Sequence, residues 1–342
     1  MKTKWTGLAL ALLSSVAVAQ VGELYDANVT DLSNIIDPAK AVKVSDSHWL
    51  AFRLPVLEGT RSPCCWKGRW NNMGDTGCSL KSSHQSYGMR SDSPLADNVI
   101  VYSEIRQGQV HSLRVVGESC PVEGNDTQVT WIGDVAETAG LDWLEDVVRM
   151  ETTGRVGDSA LFALALHRSD GVSRRLYSLA KDDGGNLSEE AIFWLGEARG
   201  EQGFKMLKKL LADLPRGDKR RQINFALAEN DTAEAAELLL QISKSDPDPE
   251  QRGAAMFWLA QEYPQQAEDW LKEVIKTEKD DDVLEQAVFA ISQLPDDSGD
   301  QVLLELARSD QTPRHVRRQA LFWLANSGND STVAALTDLL TR

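Results

Sequence analysis

The sequence predicts a mainly α protein, an α-solenoid of about six helix pairs preceded by a small, disulfide-bearing, β-rich module. Three observations carry this. A three-residue word built on Phe returns at a near-constant interval. Each return is followed by a polar turn and, in most cases, a leucine-rich segment. All four cysteines fall in an earlier stretch of alternating apolar and polar residues.

The words are Phe162-Ala163-Leu164, Phe193-Trp194-Leu195, Phe225-Ala226-Leu227, Phe257-Trp258-Leu259, Phe289-Ala290-Ile291 and Phe322-Trp323-Leu324. Intervals of 31, 32, 32, 32 and 33 residues separate their Phe positions, the signature of a repeat array. After the words come short polar turns, "EARGEQ", "AENDTA", "QEYPQQ", "LPDDSGD" and "ANSGND", and then amphipathic segments such as "FKMLKKLLADL" and "AEAAELLLQI". Two helices per unit follow. Asp248-Pro249 and Thr312-Pro313 read as N-caps with Pro at the first helical position. Gln251 completes a capping box after Asp248, and Asp282 with Glu285 forms another.

"HVRRQALFWLANSGNDSTVAALTDLL" resembles a HEAT-like repeat of the short kind found in phycobilisome-lyase-related proteins. The matching positions are Arg317, Arg318, Ala320, Leu324, Ala325, Gly328, Asp330 and the leucines from Leu336 to Leu340. The resemblance covers roughly residues 155–342. The whole chain is also similar to exported bacterial HEAT-repeat proteins with a Cys-bearing N-terminal module. The resemblance implies an α-solenoid of HEAT-like helix pairs that binds other proteins. One departure is clear: bulky Phe and Trp stand where the short repeat usually has small or polar residues.

A helix turns about 100° per residue, so with Val316 at zero, Ala320, Trp323 and Leu324 fall near 40°, 340° and 80°. This predicts that Trp194, Trp258 and Trp323 fill the core within a repeat. Phe162, Phe193, Phe225, Phe257, Phe289 and Phe322 then pack between repeats, against Leu161, Ile192, Asn224, Met256, Val288 and Leu321. An aromatic ligand groove is the rival reading. Partner binding is expected on the face lined by the second helix of each pair.

Residues 41–150 read as the β module. "HWLAFRLPV" alternates like a strand, "NVIVYSEIRQGQVHSLRVVGE" is two alternating runs around Gln107-Gly108, and "QVTWIG" is a further strand. A mainly antiparallel arrangement is expected, with "ETAGLDWLEDVVRM" turning helical at its end. Four cysteines, Cys64, Cys65, Cys78 and Cys120, read as two disulfides in an exported protein. Neighbouring Cys64 and Cys65 are not expected to bond each other, because that closes a strained ring. Each therefore reaches Cys78 or Cys120; the pairing chosen is Cys65–Cys78 with Cys64–Cys120. No C-x-x-C pair or adjacent His favours a metal site. The Trp49, Trp66, Trp70, His48 and His84 cluster is where a specific site within this module would be sought. Residues 20–40 read as a loose acidic segment, and 151–342 as the solenoid.

"MKTKWTGLALALLSSVAVAQ" has a basic start, a short apolar run and a small-x-small end at Ala17-Val18-Ala19. It reads as a signal peptide over residues 1–19, cleaved between Ala19 and Gln20, which predicts an exported, periplasmic or secreted protein. No later stretch is apolar enough to span a membrane. The formal net charge is −16, and removal of Lys2 and Lys4 with the signal takes it to −18. Such a surface repels phosphate backbones and disfavours nucleic acid. It prefers basic or neutral protein partners.

Catalytic grammar is sparse. Asp75-Thr76-Gly77 matches the aspartic-protease triplet but lacks a second copy. Ser178 and Lys181 match S-x-x-K without companion motifs. The five histidines, His48, His84, His111, His167 and His315, form no metal pair at helical spacing. Neither a cofactor nor a catalytic residue is predicted. Five N-x-S/T sequons occur, at Asn28, Asn125, Asn186, Asn230 and Asn329. The expected function is a non-enzymatic interaction scaffold. The alternative is a thiol-redox, metal-binding or envelope-stress accessory protein centred on the cysteines.

Overall fold

The computed structural model describes residues 21–44, 47–66, 77–82, 86–150, 155–182, 185–214, 217–295 and 297–327. The signal segment, Trp70, Asp75, Thr76, His84, Asn329 and the final leucine-rich segment lie outside the described residues. The chain divides into two compact units. One comprises residues up to Pro55 with Gly59–Gly140, and the other comprises Val56–Glu58 with Leu141 onward.

The first unit contains β1 (Glu23–Asp31), the short helix α1 (Pro38–Ala41), β2 (Ser47–Pro55), β3 (Cys64–Trp66), β4 (Cys78–Ser79), β5 (Ser86–Gly88), β6 (Asn98–Arg106), β7 (Gln109–Gly117) and β8 (Pro121–Asp134). Its main sheet runs β1-β8-β2-β6-β7, with β4 also on β8, and β3 pairs β5 separately. The β6–β7 hairpin turns at Gln107 and Gly108, both with positive φ of 51° and 74°. This is the geometry that a two-residue hairpin loop requires and that Gly adopts without strain.

The expected mainly antiparallel sheet is mixed: β8 runs parallel to β1, β2 and β4. The expected loose segment at 20–40 is also corrected, since it contains β1. That strand exposes most of its side chains on both faces, so it has no apolar alternation to betray it. Backbone pairing with β8 holds it in place. The core of this unit gathers Trp49, Tyr102, Trp131, Cys65, Cys78 and Cys120.

The second unit is helical. The β-to-helix boundary falls at Gly140–Leu141 rather than at 150, inside α2 (Glu137–Met150). There follow α3 (Arg155–Leu166), α4 (Gly171–Lys181), α5 (Asn186–Glu197), α6 (Gly200–Asp213), α7 (Asp218–Ala228), α8 (Ala233–Ser245), α9 (Pro249–Glu262), α10 (Pro264–Thr277), α11 (Asp281–Ser292), α12 (Ser298–Arg308) and α13 (Arg314–Asn326). The odd-numbered helices from α3 to α13 carry the Phe words. From α3 to α11, each packs on the next odd-numbered helix and on its own even-numbered partner.

Burial explains the period. The third residue of each word, Leu164, Leu195, Leu227, Leu259, Ile291 and Leu324, is buried. So is the residue before Phe in the first five words: Leu161, Ile192, Asn224, Met256 and Val288. Asn224, the polar exception, donates from Nδ2 to Gln251 O and Oε1 at 3.3 and 3.2 Å. Ion pairs tie a first helix to the end of its own second helix: Arg220 on α7 to Asp246 after α8 at 2.7 Å, and Arg252 on α9 to Glu278 after α10 at 3.8 Å.

The helix ends differ in part from expectation. Asp248 caps α9 by accepting from Glu250 N at 3.1 Å, but Gln251 is buried against Asn224 and completes no capping box. The cap of α11 is Asp280, not Asp282. Pro313 occupies the cap position of α13, and Thr312 is buried one residue earlier.

Candidate functional site

The Phe and Trp of the repeat words form one connected ribbon of rings. Phe162 meets Trp194 (5.3 Å between centroids), which meets Phe193 (4.9 Å). Phe193 stacks on Phe225 (5.9 Å), which meets Trp258 (4.6 Å) and through it Phe257 (4.8 Å). Phe257 stacks on Phe289 at 5.6 Å with ring planes 3° apart. Phe289 then meets Trp323 (5.1 Å), and Trp323 meets Phe322 (5.2 Å). The contacts fall within the range for favourable aromatic pairs.

The ribbon explains the Trp/Ala alternation. Each Trp bridges the Phe of the preceding unit to the Phe of its own. Where the word has Ala226 or Ala290 instead, the two Phe rings stack directly across the seam.

The ribbon also corrects the expected repeat core. Phe162 is buried at 8% exposure and Phe322 is 57% exposed. Phe193, Trp194, Phe225, Phe257, Trp258, Phe289 and Trp323 are half-buried. Helix geometry gives the reason. Taking Phe as zero, the buried residues before it and two after it lie at about −100° and −160°. The buried centre is therefore roughly 130° from both the Phe and the Trp. The rings do join repeat to repeat, but they do so at the surface. The exposed aromatic face belongs to the first helices of the pairs, not the second.

Two adjoining clefts open along the ribbon. One, of about 660 Å³, lies over α7, α9 and α11, with Phe225, Phe257, Trp258 and Phe289 in its wall. The other, of about 650 Å³, lies over α9, α11 and α13 and is lined by Phe289 and Trp323. Its rim carries Asp248, Glu250, Asp282 and Glu285, with no Lys or Arg. Gln286 belongs to both clefts, and Gln319 to the second. Gly253 makes room for Gln286: a Cβ there would stand 1.1 Å from Gln286 Oε1. Gln286 Oε1 and Gln319 Oε1 have no donor among the described residues.

At the other end of the ribbon, Glu190 has its pKa pushed up to about 7 by burial and by the nearby Asp158 carboxylate. Burial also raises Asp158. This end thus holds a carboxylate poised to be neutral near pH 7.

Three residues from the polar turns have a structural duty that the sequence did not disclose. Buried Arg199 donates to Ala165 O (3.2 Å), His167 O (2.8 Å) and Ser169 O (2.8 Å), where α3 ends. Buried Asn230 donates to Gly196 O (3.1 Å) and Gly200 O (3.0 Å) after α5. Tyr263 donates to Ala228 O (3.5 Å) and Asn230 O (3.4 Å) after α7. Each satisfies carbonyls that a helix C-terminus leaves unpaired. The amide of Asn230 is engaged and buried, so its sequon is closed in the folded protein.

In the β unit, Cys64 bonds Cys120 and Cys65 bonds Cys78. The sulfurs of Cys64, Cys78 and Cys120 lie within 4.8 Å of one another, but in disulfides they offer no thiolate to a metal. Trp49, Trp66 and His48 are buried, so this part of the expected cluster is core rather than surface. Burial lowers the pKa of His48. A smaller cleft of about 250 Å³ is lined by Cys64, Cys120, Arg90 and Asp92. Among the described residues no helix is long and apolar enough to cross a membrane.

No curated protein matches this chain. Among solved structures, that of human deoxyhypusine hydroxylase in complex with glycerol is 17% identical, covering 58% of this chain and 88% of that chain, at a TM-score of 0.32. Residues 236–315, from α8 to the start of α13, match the family described as HEAT repeats, so the helical unit contains HEAT repeats.

Proposed function

We propose that this protein is a non-enzymatic, exported interaction scaffold, an α-solenoid that holds partner proteins along its first-helix face. The observation that carries the reading is the half-buried aromatic ribbon. Connected apolar surface of this kind, rimmed by polar residues, marks interaction sites. HEAT repeats over residues 236–315 support protein binding as the class of function. The apolar start of the chain and the two disulfides support export to the periplasm or outside the cell.

A photo-crosslinking side chain placed at Phe257 or Phe322, and separately at Glu237 on α8 or Glu273 on α10, tests this in the native envelope fraction. Protein adducts from the ribbon positions alone are expected. Adducts only from the α8 and α10 positions would move the surface to the second helices. No adduct from any position would sink the scaffold reading.

A second reading, a thiol-redox or envelope-stress role for the cysteines, draws on the 3.8 Å approach of Cys78 Sγ to Cys120 Sγ between the two disulfides. A free-thiol count under native conditions tests it: reactive thiols favour the redox role, and none favours structural bridges.

A further inference from the structure

We infer that the cleft over α9, α11 and α13 docks an extended, basic peptide segment of a partner protein. Its Arg or Lys side chains lie on Phe289 and Trp323 beneath a rim of carboxylates. The inference rests on the scaffold reading and names the site and the chemistry of what it holds.

Charge complementarity chooses the occupant. Asp248, Glu250, Asp282 and Glu285 line this cleft without a Lys or Arg. Among the described residues, Asp282 and Glu285 form no ion pair, while Glu250 is shared with Arg221 at 3.1 Å. A neutral apolar ligand would strip water from these carboxylates without return, and an acidic one would be repelled. A cation pairs with the rim and also gains from the ring faces below it, since indole and phenyl faces attract positive charge.

The ligand's backbone conformation follows from the spacing of the helices. A chain in polyproline II geometry advances about 9 Å in three residues, and packed helix axes lie roughly 8–10 Å apart. A cation at every third residue therefore meets successive seams of the array.

The test uses the full chain and a short synthetic peptide with Arg at every third position among Pro and Val. Counterparts replace Arg by Gln or by Glu. Binding is read by tryptophan fluorescence and by anisotropy of a labelled peptide. The Arg peptide should bind, the Gln form about tenfold or more weakly, and the Glu form not at all. Binding of the Arg peptide should weaken with added salt. Asp282→Lys with Glu285→Lys should cost about tenfold in affinity or more, while Glu237→Lys with Glu273→Lys, of equal charge change, should leave it within about twofold. Phe289→Leu, which keeps apolar volume, should also weaken binding. Helical circular dichroism of every variant must match the parent.

Equal binding of the Glu peptide would overturn the proposal. So would indifference to the Asp282/Glu285 double reversal, or binding of a neutral linear oligosaccharide in place of the peptide. If the peptides fail while Phe257 and Phe322 still crosslink proteins, this inference falls and the scaffold reading stands. If crosslinking fails as well, both fall.

Discussion

Replacing Arg199 by Met would remove the guanidinium while leaving an apolar stem of similar length. The side chain is 7% exposed. It makes the three carbonyl bonds at the end of α3 and a fourth, from Nε to Ser173 Oγ at 3.2 Å. Met cannot donate, so three backbone oxygens and a hydroxyl lose a partner. At about 1 kcal/mol net for each hydrogen bond, the gross loss is about 4 kcal/mol. Burying a cation is itself costly, and burial indeed lowers the Arg199 pKa. Relief of that cost returns about 1–2 kcal/mol. The expected net destabilisation is about 2–3 kcal/mol. Urea unfolding followed by far-ultraviolet circular dichroism would measure it. Amide exchange at Val172, whose N–H is bonded to Ser169 O at 3.2 Å, would localise it to the end of α3. Arg199→Lys should recover only part, because one ammonium cannot reach all four acceptors. A loss below about 0.5 kcal/mol for Arg199→Met would refute the idea that this residue staples neighbouring repeats.

Other substitutions test the packing and the charges. Burial and the nearby Asp158 carboxylate push the Glu190 pKa up from the ordinary carboxylate range to about 7. A raised carboxylate favours the folded state fully below the unfolded value, and that contribution is lost as pH climbs through the folded one. Glu190→Gln should therefore stabilise the protein by about 1–2 kcal/mol at pH 8 and by nothing at pH 4, as thermal melts at the two pH values would show. Leu259→Ala in the buried core should cost about 2–5 kcal/mol in urea unfolding, whereas half-buried Phe257→Ala should cost about 1–2 kcal/mol. Equal costs would return the ribbon to the core. Removing Cys64–Cys120, with its separation of 56 residues, should cost about 4 kcal/mol by loop entropy. Removing Cys65–Cys78, separated by 13 residues, should cost about 3 kcal/mol. Differential scanning calorimetry of the two Cys→Ser pairs would check that order.

The repeat was legible because it is a property of spacing. A residue every thirty-odd positions needs no coordinates to be seen, and the buried leucines that end each word keep helical periodicity within a unit. The β6–β7 hairpin was legible for a similar reason: alternation on both sides of Gln107-Gly108 is local. The strand β1 was not, because an edge strand held by backbone bonds leaves no side-chain pattern. The aromatic ribbon was half legible. Its members were found as a set, and the Phe residues were expected between repeats, but against the Leu161-type residues and with each Trp inside a repeat, so the contact of ring with ring across the seams was not foreseen. Their burial was misjudged, because a single helical wheel does not say how far a neighbouring helix covers a flank. The residue before each of the first five Phe positions is buried, and the rings are left over the seam.

By itself, then, the sequence determined the two kinds of unit, the period, the buried third residue of each word and the presence of disulfide-forming cysteines. These depend on order along the chain and on local geometry. Only the tertiary structure decided which face of the helices stays open, and that Arg199, Asn230 and Tyr263 turn inward from polar turns to satisfy carbonyls of the preceding unit. It also decided that Gly253 admits Gln286 into a cleft rimmed by Asp282 and Glu285. Those outcomes depend on where one repeat's backbone comes to rest against the next. That placement is fixed by the packing of the array as a whole, which no window of the chain contains.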